Sequence, residues 1–174
     1  SLQAALAEWC ADRLAAEATH SAIGVWDVSK VTDMSSLVSD APCASTFDAD
    51  IDDWDVAQVT TMQSMFKQVT IFNRPLESWN VRRVTTMQYM FEYADAFNRD
   101  INGWDVARVT DMAWMFMLAV DLNQPLGAWS VGQVTNMNTM LNSAVDFNQP
   151  LEAWDVGRVT DMMRMFLGAN APAA

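Results

Sequence analysis

Reactive side chains are scarce in this sequence. It has one histidine, His20, and two cysteines, Cys10 and Cys43. No Ser/His/Asp set, no His or Cys cluster at metal-ligand spacing and no phosphate-cradling glycine loop can be assembled from it. Basic residues are also few: 10 Lys and Arg against 22 Asp and Glu leave a formal net charge of −12. That balance argues against nucleic acid, which needs a basic stripe, and against adhesion to an anionic membrane surface. No apolar run is long enough for a membrane span, and no basic n-region leads into an apolar h-region. The two cysteines permit either one disulfide or two buried thiols, since spacing alone does not fix geometry. Starting at Ser1 and running into a small-residue tail, the chain reads as a processed or trimmed product.

What the sequence has in abundance is repetition. Trp26, Trp54, Trp79, Trp104, Trp129 and Trp154 recur at gaps of 25 residues, except the first gap of 28. Around them the unit reads L-x-x-W-D-V-x-x-V-T-x-M-x-x-M-F-x-x-A-x-x-F-N-x-P. A period in this range marks a stacked array, in which each unit buries its apolar face against its neighbours. With 174 residues, 51% of them hydrophobic, the chain is one elongated domain and not a disordered segment.

Within the unit from Leu76 to Phe97, Trp79 and Val81 alternate with polar neighbours, the pattern of a short strand with one buried face. Val84, Met87, Met90, Phe91, Ala94 and Phe97 then fall at offsets 0, 3, 6, 7, 10 and 13, a helical stripe. Thr85 with Gln88, like Thr60 with Gln63, reads as a capping box at the start of that helix. Each unit is therefore expected to be strand, short helix, turn. The methionine columns (Met62, Met87, Met112, Met137, Met162 and Met65, Met90, Met115, Met140, Met165) read as core filling rather than metal ligands. Asp48, Asn73, Asn98, Asn123 and Asn148 form a turn column that can satisfy backbone groups of adjacent units, with His20 on its first rung.

These residues resemble the BspA-like leucine-rich-repeat surface proteins, in the branch with W-D-V-S-x-V-T-x-M-x-x-M-F repeats. The match is visible in Trp26-Asp27-Val28-Ser29-Lys30-Val31-Thr32-Asp33-Met34 and in each later unit. The leader resembles that of the microalgal type. The resemblance implies an α/β fold: a right-handed leucine-rich-repeat-like solenoid, with short parallel strands on one face and short helices on the other. It implies surface display, adhesion and protein binding, and no enzymatic activity.

The expected organisation is an N-terminal capping helix over 1–22, with an amphipathic stretch at 2–18, then six repeats over 23–170 and a tail over 171–174. Gly168 and Pro172 end the last helix with no evident cover, which leaves the C-terminal end open to docking. The side chains flanking each tryptophan point outward, so Asp55, Asn80, Asp105 and Asp155, with Arg83 and Arg108, form a charged, regular face. The alternating signs also relieve repulsion between stacked carboxylates. Asp48, Asp50, Asp52, Asp53 and Asp55 superficially resemble a calcium loop, but Asp53 stands where the loop needs Gly and Val59 where it needs Glu. No metal and no cofactor are implied. The function expected is a non-catalytic interaction module recognising a protein or glycan at the cell surface or outside the cell. The alternative is a structural or linker subunit within a larger, possibly intracellular or organellar, assembly.

Overall fold

The computed structural model describes residues 1–170; the tail at 171–174, with Pro172, lies outside them. Two helices open the chain, α1 over Leu2–Ala11 and α2 over Arg13–His20, where the periodicity predicts a single helix over 2–18. The break falls at Asp12. Its extended backbone ends α1, while its carboxylate accepts the Ala15 N–H at 3.1 Å and caps α2. α1 buries Leu6 and Trp9, and Trp9 meets Phe47 edge-on at 5.9 Å. A disulfide joins Cys10 to Cys43 and fastens this cap to the surplus residues between the first two units. His20 ends α2, 2.9 Å from Glu8, and does not sit on the turn column.

After α2 the six units stack, and hydrogen bonds link each to the next at the repeat spacing. Each tryptophan from Trp54 onward donates its indole N–H to a carbonyl of the preceding coil, as in Trp79 to Ile51 and Trp104 to Leu76, both at 3.0 Å. Each threonine from Thr60 onward donates twice to the threonine carbonyl one coil earlier, once from its N–H and once from Oγ1. For Thr85 to Thr60 these distances are 2.9 and 3.1 Å. The threonines are therefore rungs of a ladder and not helix caps. In the turn column the Asn98 N–H donates to Asn73 Oδ1 at 3.1 Å, and Asn123 and Asn148 repeat the bond, the backbone role their repetition predicts.

The segment expected to be helical follows another rule. In the unit that holds Met87, alternate N–H groups leave for the next coil: Met87 to Asp111, Tyr89 to Ala113, Phe91 to Met115 and Tyr93 to Met117, at 2.8–3.0 Å. The N–H groups between them turn back three residues, Met90 to Met87, Glu92 to Tyr89 and Ala94 to Phe91. Tyr89 and Tyr93 carry φ of 59° and 56°, as the third residue of a type II turn does, and a left-handed residue every fourth position cannot continue an α-helix. Parallel pairing shrinks to single bridges along Asp33, Thr61, Thr86, Asp111, Asn136 and Asp161, at the point where the helices were expected to begin. The α/β expectation is thus overturned. Among the described residues both α-helices precede the repeats and no sheet forms, so the chain does not build a leucine-rich-repeat-like solenoid of strands opposed by helices.

The apolar columns fill the interior all the same. Val81, Val84, Met87, Met90, Phe91, Ala94 and Phe97 are all at most 1% exposed, and full burial of a Met or Phe side chain is worth about 1.5–3 kcal/mol. Phe91 stacks between Phe66 and Phe116 at centroid distances of 5.3 and 5.6 Å. Stacked turns therefore bury the same residues that a helix stripe would have buried.

Candidate functional site

The charged face expected from the sequence is exposed, but its acidic column is committed to local structure. Asp55, Asn80, Asp105 and Asp155 each accept, through a side-chain oxygen, the N–H two residues ahead: Ala57, Arg82, Ala107 and Gly157, at 3.0–3.4 Å. Asp27 does the same with Ser29, whose hydroxyl bond, ahead of its backbone bond, holds the carboxyl below the usual aspartate range. These are Asx turns that shape each corner after its tryptophan. Arg83 reaches back to Gln58 Oε1 at 2.6 Å. Arg108 is exposed and has no polar partner among the described residues. The six positions share one side of the stack, yet only Arg108 offers a side chain with no role in the fold.

The acidic cluster is engaged as well. Asp48 pairs with Arg74 at 2.7 Å and accepts the Asn73 N–H. Asp50 accepts the Asp52 N–H, and Asp52 holds the N–H and hydroxyl of Ser78. Among the described residues no three His, Cys, Asp or Glu side chains come together to hold a metal ion.

A second surface was not read from the sequence. The turns of each coil place two residues in the left-handed region, four apart: Ser64 and Gln68, Tyr89 and Tyr93, Trp114 and Leu118, Thr139 and Ser143. In the last coil the pair is Arg164 and Gly168. Small and polar residues suit these sites, since a non-glycine residue there costs roughly 1–2 kcal/mol. Two neighbouring coils break the pattern with bulky residues, and all four emerge on one side of the stack.

Tyr89 and Trp114 lie 5.8 Å apart, tilted by 37°. Tyr93 is 38% exposed, while Trp114 and Leu118 are half-buried. Lys67 places Nζ 4.8 Å above the Tyr89 ring and 2.7 Å from Glu92 Oε2. That carboxylate oxygen is buried, and the lysine approaches it at an angle too poor for a hydrogen bond. Glu92, which the helical reading places on an outer face, is a buried anchor beneath the aromatic rings. Seven indoles donate to protein acceptors; that of Trp114 has none among the described residues. Beside the patch, burial, followed by the charge of Asp121, raises the Asp95 carboxyl above its ordinary value. The signal available in the sequence was the departure from repeat: aromatics at 89, 93 and 114 where other units carry Ser, Thr or Gln.

Over residues 12–119 and again over 100–173 the chain matches a family described as Mycoplasma protein of unknown function, DUF285, and it belongs to that family. This is a repeat family related to the BspA-like surface proteins, so the resemblance holds at that level and does not extend to the microalgal type. No curated protein matches the chain, and no solved structure does.

Proposed function

We propose that the chain is a non-catalytic interaction module that recognises a protein partner through the side of the stack carrying Tyr89, Tyr93, Trp114 and Leu118. One observation carries this reading: four bulky side chains occupy strained left-handed positions in adjacent coils, although neighbouring coils build the same turns with Ser, Gln and Thr. Strain that the fold does not need, placed on an accessible surface, points to use at that surface. Exposed aromatic rings give large contact area at low entropic cost, as binding hot spots do. The Cys10–Cys43 disulfide fits an oxidising compartment, which supports display at the cell surface or outside the cell. The net charge of −12 favours a basic partner through complementarity and on-rate.

The test borrows replacements from the protein's own repeats. Trp114→Ser and Tyr93→Gln install the residues found at 64 and 68, so the turns are retained. The charged face is tested in parallel by reversing Asp105 and Arg108 together. A partner captured from cell-surface extracts by the unaltered chain is expected to be lost by the first variant and kept by the second. Retention by the first and loss by the second would move recognition to the charged face.

A further inference from the structure

The last coil is exposed wherever the coils before it are covered. Val156, Met162 and Phe166 are 40%, 41% and 42% exposed, whereas Val131, Met137 and Leu141, their counterparts one coil earlier, are at most 1% exposed. Leu167 beside them is 60% exposed. The backbone is open at the same place. One coil earlier, the N–H groups of Met137, Thr139, Leu141 and Ser143 donate to the carbonyls of Asp161, Met163, Met165 and Leu167 at 2.8–3.0 Å. The equivalent N–H groups of Met162, Arg164, Phe166 and Gly168 have no acceptor among the described residues. The carbonyls of Leu151 and Thr160 lack the donors that Leu126 and Thr135 receive from Trp154 and Thr160.

We propose that this end binds one further coil of the same repeat pattern, supplied by another polypeptide. Four N–H groups at alternate residues require acceptor carbonyls at alternate residues, running in parallel. A helix cannot supply them, because its carbonyls are held within the helix. It could cover the apolar side chains only, and buried N–H groups without partners are costly. A second copy of this chain does not fit. Its first coil is closed by α1 and the Cys10–Cys43 disulfide, and two open ends brought together would set donor rows against each other. A segment with the W-D-V…V-T-x-M-x-x-M-F spacing brings every missing group: alternate carbonyls, an indole N–H for Leu151, a threonine for Thr160 and apolar side chains over Val156, Met162 and Phe166. This is strand-addition logic applied to a turn-built coil. It is independent of the aromatic side patch.

The experiment mixes the full chain with a peptide that copies residues 98–147, on a soluble carrier so that it remains monomeric. Amide exchange by NMR is expected to slow at Met162, Arg164, Phe166 and Gly168, with one peptide bound per chain. Phe166→Glu, at an already exposed position, is expected to weaken the peptide at least about tenfold without changing the tryptophan signals of the folded stack. A peptide copying residues 1–22, which carries the two helices, serves as the competitor. Absence of slowed exchange with the repeat peptide overturns the proposal. So does tighter binding of the helical peptide, which makes the occupant a helix. Slowed exchange of the chain alone with rising concentration also overturns it, since the occupant is then a second copy.

Discussion

Trp129 donates its indole N–H to the carbonyl of Ile101, 28 residues earlier, at 2.9 Å. The ring thus fills the core and also supplies a buried main-chain acceptor with its donor.

Trp129→Phe keeps most of the ring and removes the donor, so it is expected to cost about 1–3 kcal/mol for the unsatisfied carbonyl. Trp104→Ala, which also opens a cavity, is expected to cost about 3–5 kcal/mol. Urea unfolding of both variants measures this; a Trp129→Phe chain as stable as the parent would show that the indole bond contributes nothing.

Gln68 is exposed and has φ of 61°. Its own N–H reaches the Glu92 carbonyl at 2.7 Å, a bond that any residue can make. Gln68→Gly is expected to stabilise by roughly 0.5–1 kcal/mol, as relief of left-handed strain outweighs the added freedom of the unfolded chain. Gln68→Val, β-branched, is expected to destabilise. If the two variants show equal midpoints in denaturant, the turn is not what limits this position.

The Cys10–Cys43 bond closes a loop across a sequence separation of 33. Replacing both cysteines by serine is expected to lower stability by about 2–4 kcal/mol. Because α1 covers the first coil, the loss should appear as faster amide exchange in α1 and around Phe47 before it reaches the inner coils. Uniform loss throughout the stack would show that the bond acts only on the unfolded chain.

Asp95 gives a pH dependence of definite sign. Burial, then the Asp121 charge, raises its carboxyl above the ordinary 3.8, so the fold favours the protonated form. The penalty is absent below the unfolded value and grows as pH rises through the folded one. Asp95→Asn is therefore expected to match the parent in acid and to become the more stable chain as pH rises past that window. Unfolding midpoints measured from acid to neutral pH check this; an offset that does not change with pH would mean that charge is not the cause.

The repeat register, the buried tryptophan and methionine columns and the Asn73–Asn148 turn column were legible because each is a residue type repeated at one spacing. The secondary structure was not legible. Met87, Met90, Phe91 and Ala94 satisfy a helical stripe and a run of three-residue turns equally well, since both return the chain to the same side every three or four residues. The distinction lay in where the N–H groups go, and a single coil does not contain their acceptors. The charged face was found because Asp and Arg recur, while Tyr89, Tyr93 and Trp114 were passed over because they do not. Glu92 looked solvent-facing only for as long as the segment was taken for a helix.

The bonds between coils lie along the stack, so the molecule has a definite response to tension. At the N-terminal end a covalent cross-link holds α1 to the first coil, while at the other end nothing among the described residues closes the last coil. Pulled from its two ends, the chain peels from the open coil inward, breaking the rungs of one coil before loading those of the next. Each 25-residue unit then releases about 80–90 Å of chain, giving a sawtooth of nearly equal teeth that stops at the disulfide-locked cap. The repeat spacing that sets the core is also the step length of a mechanical ratchet.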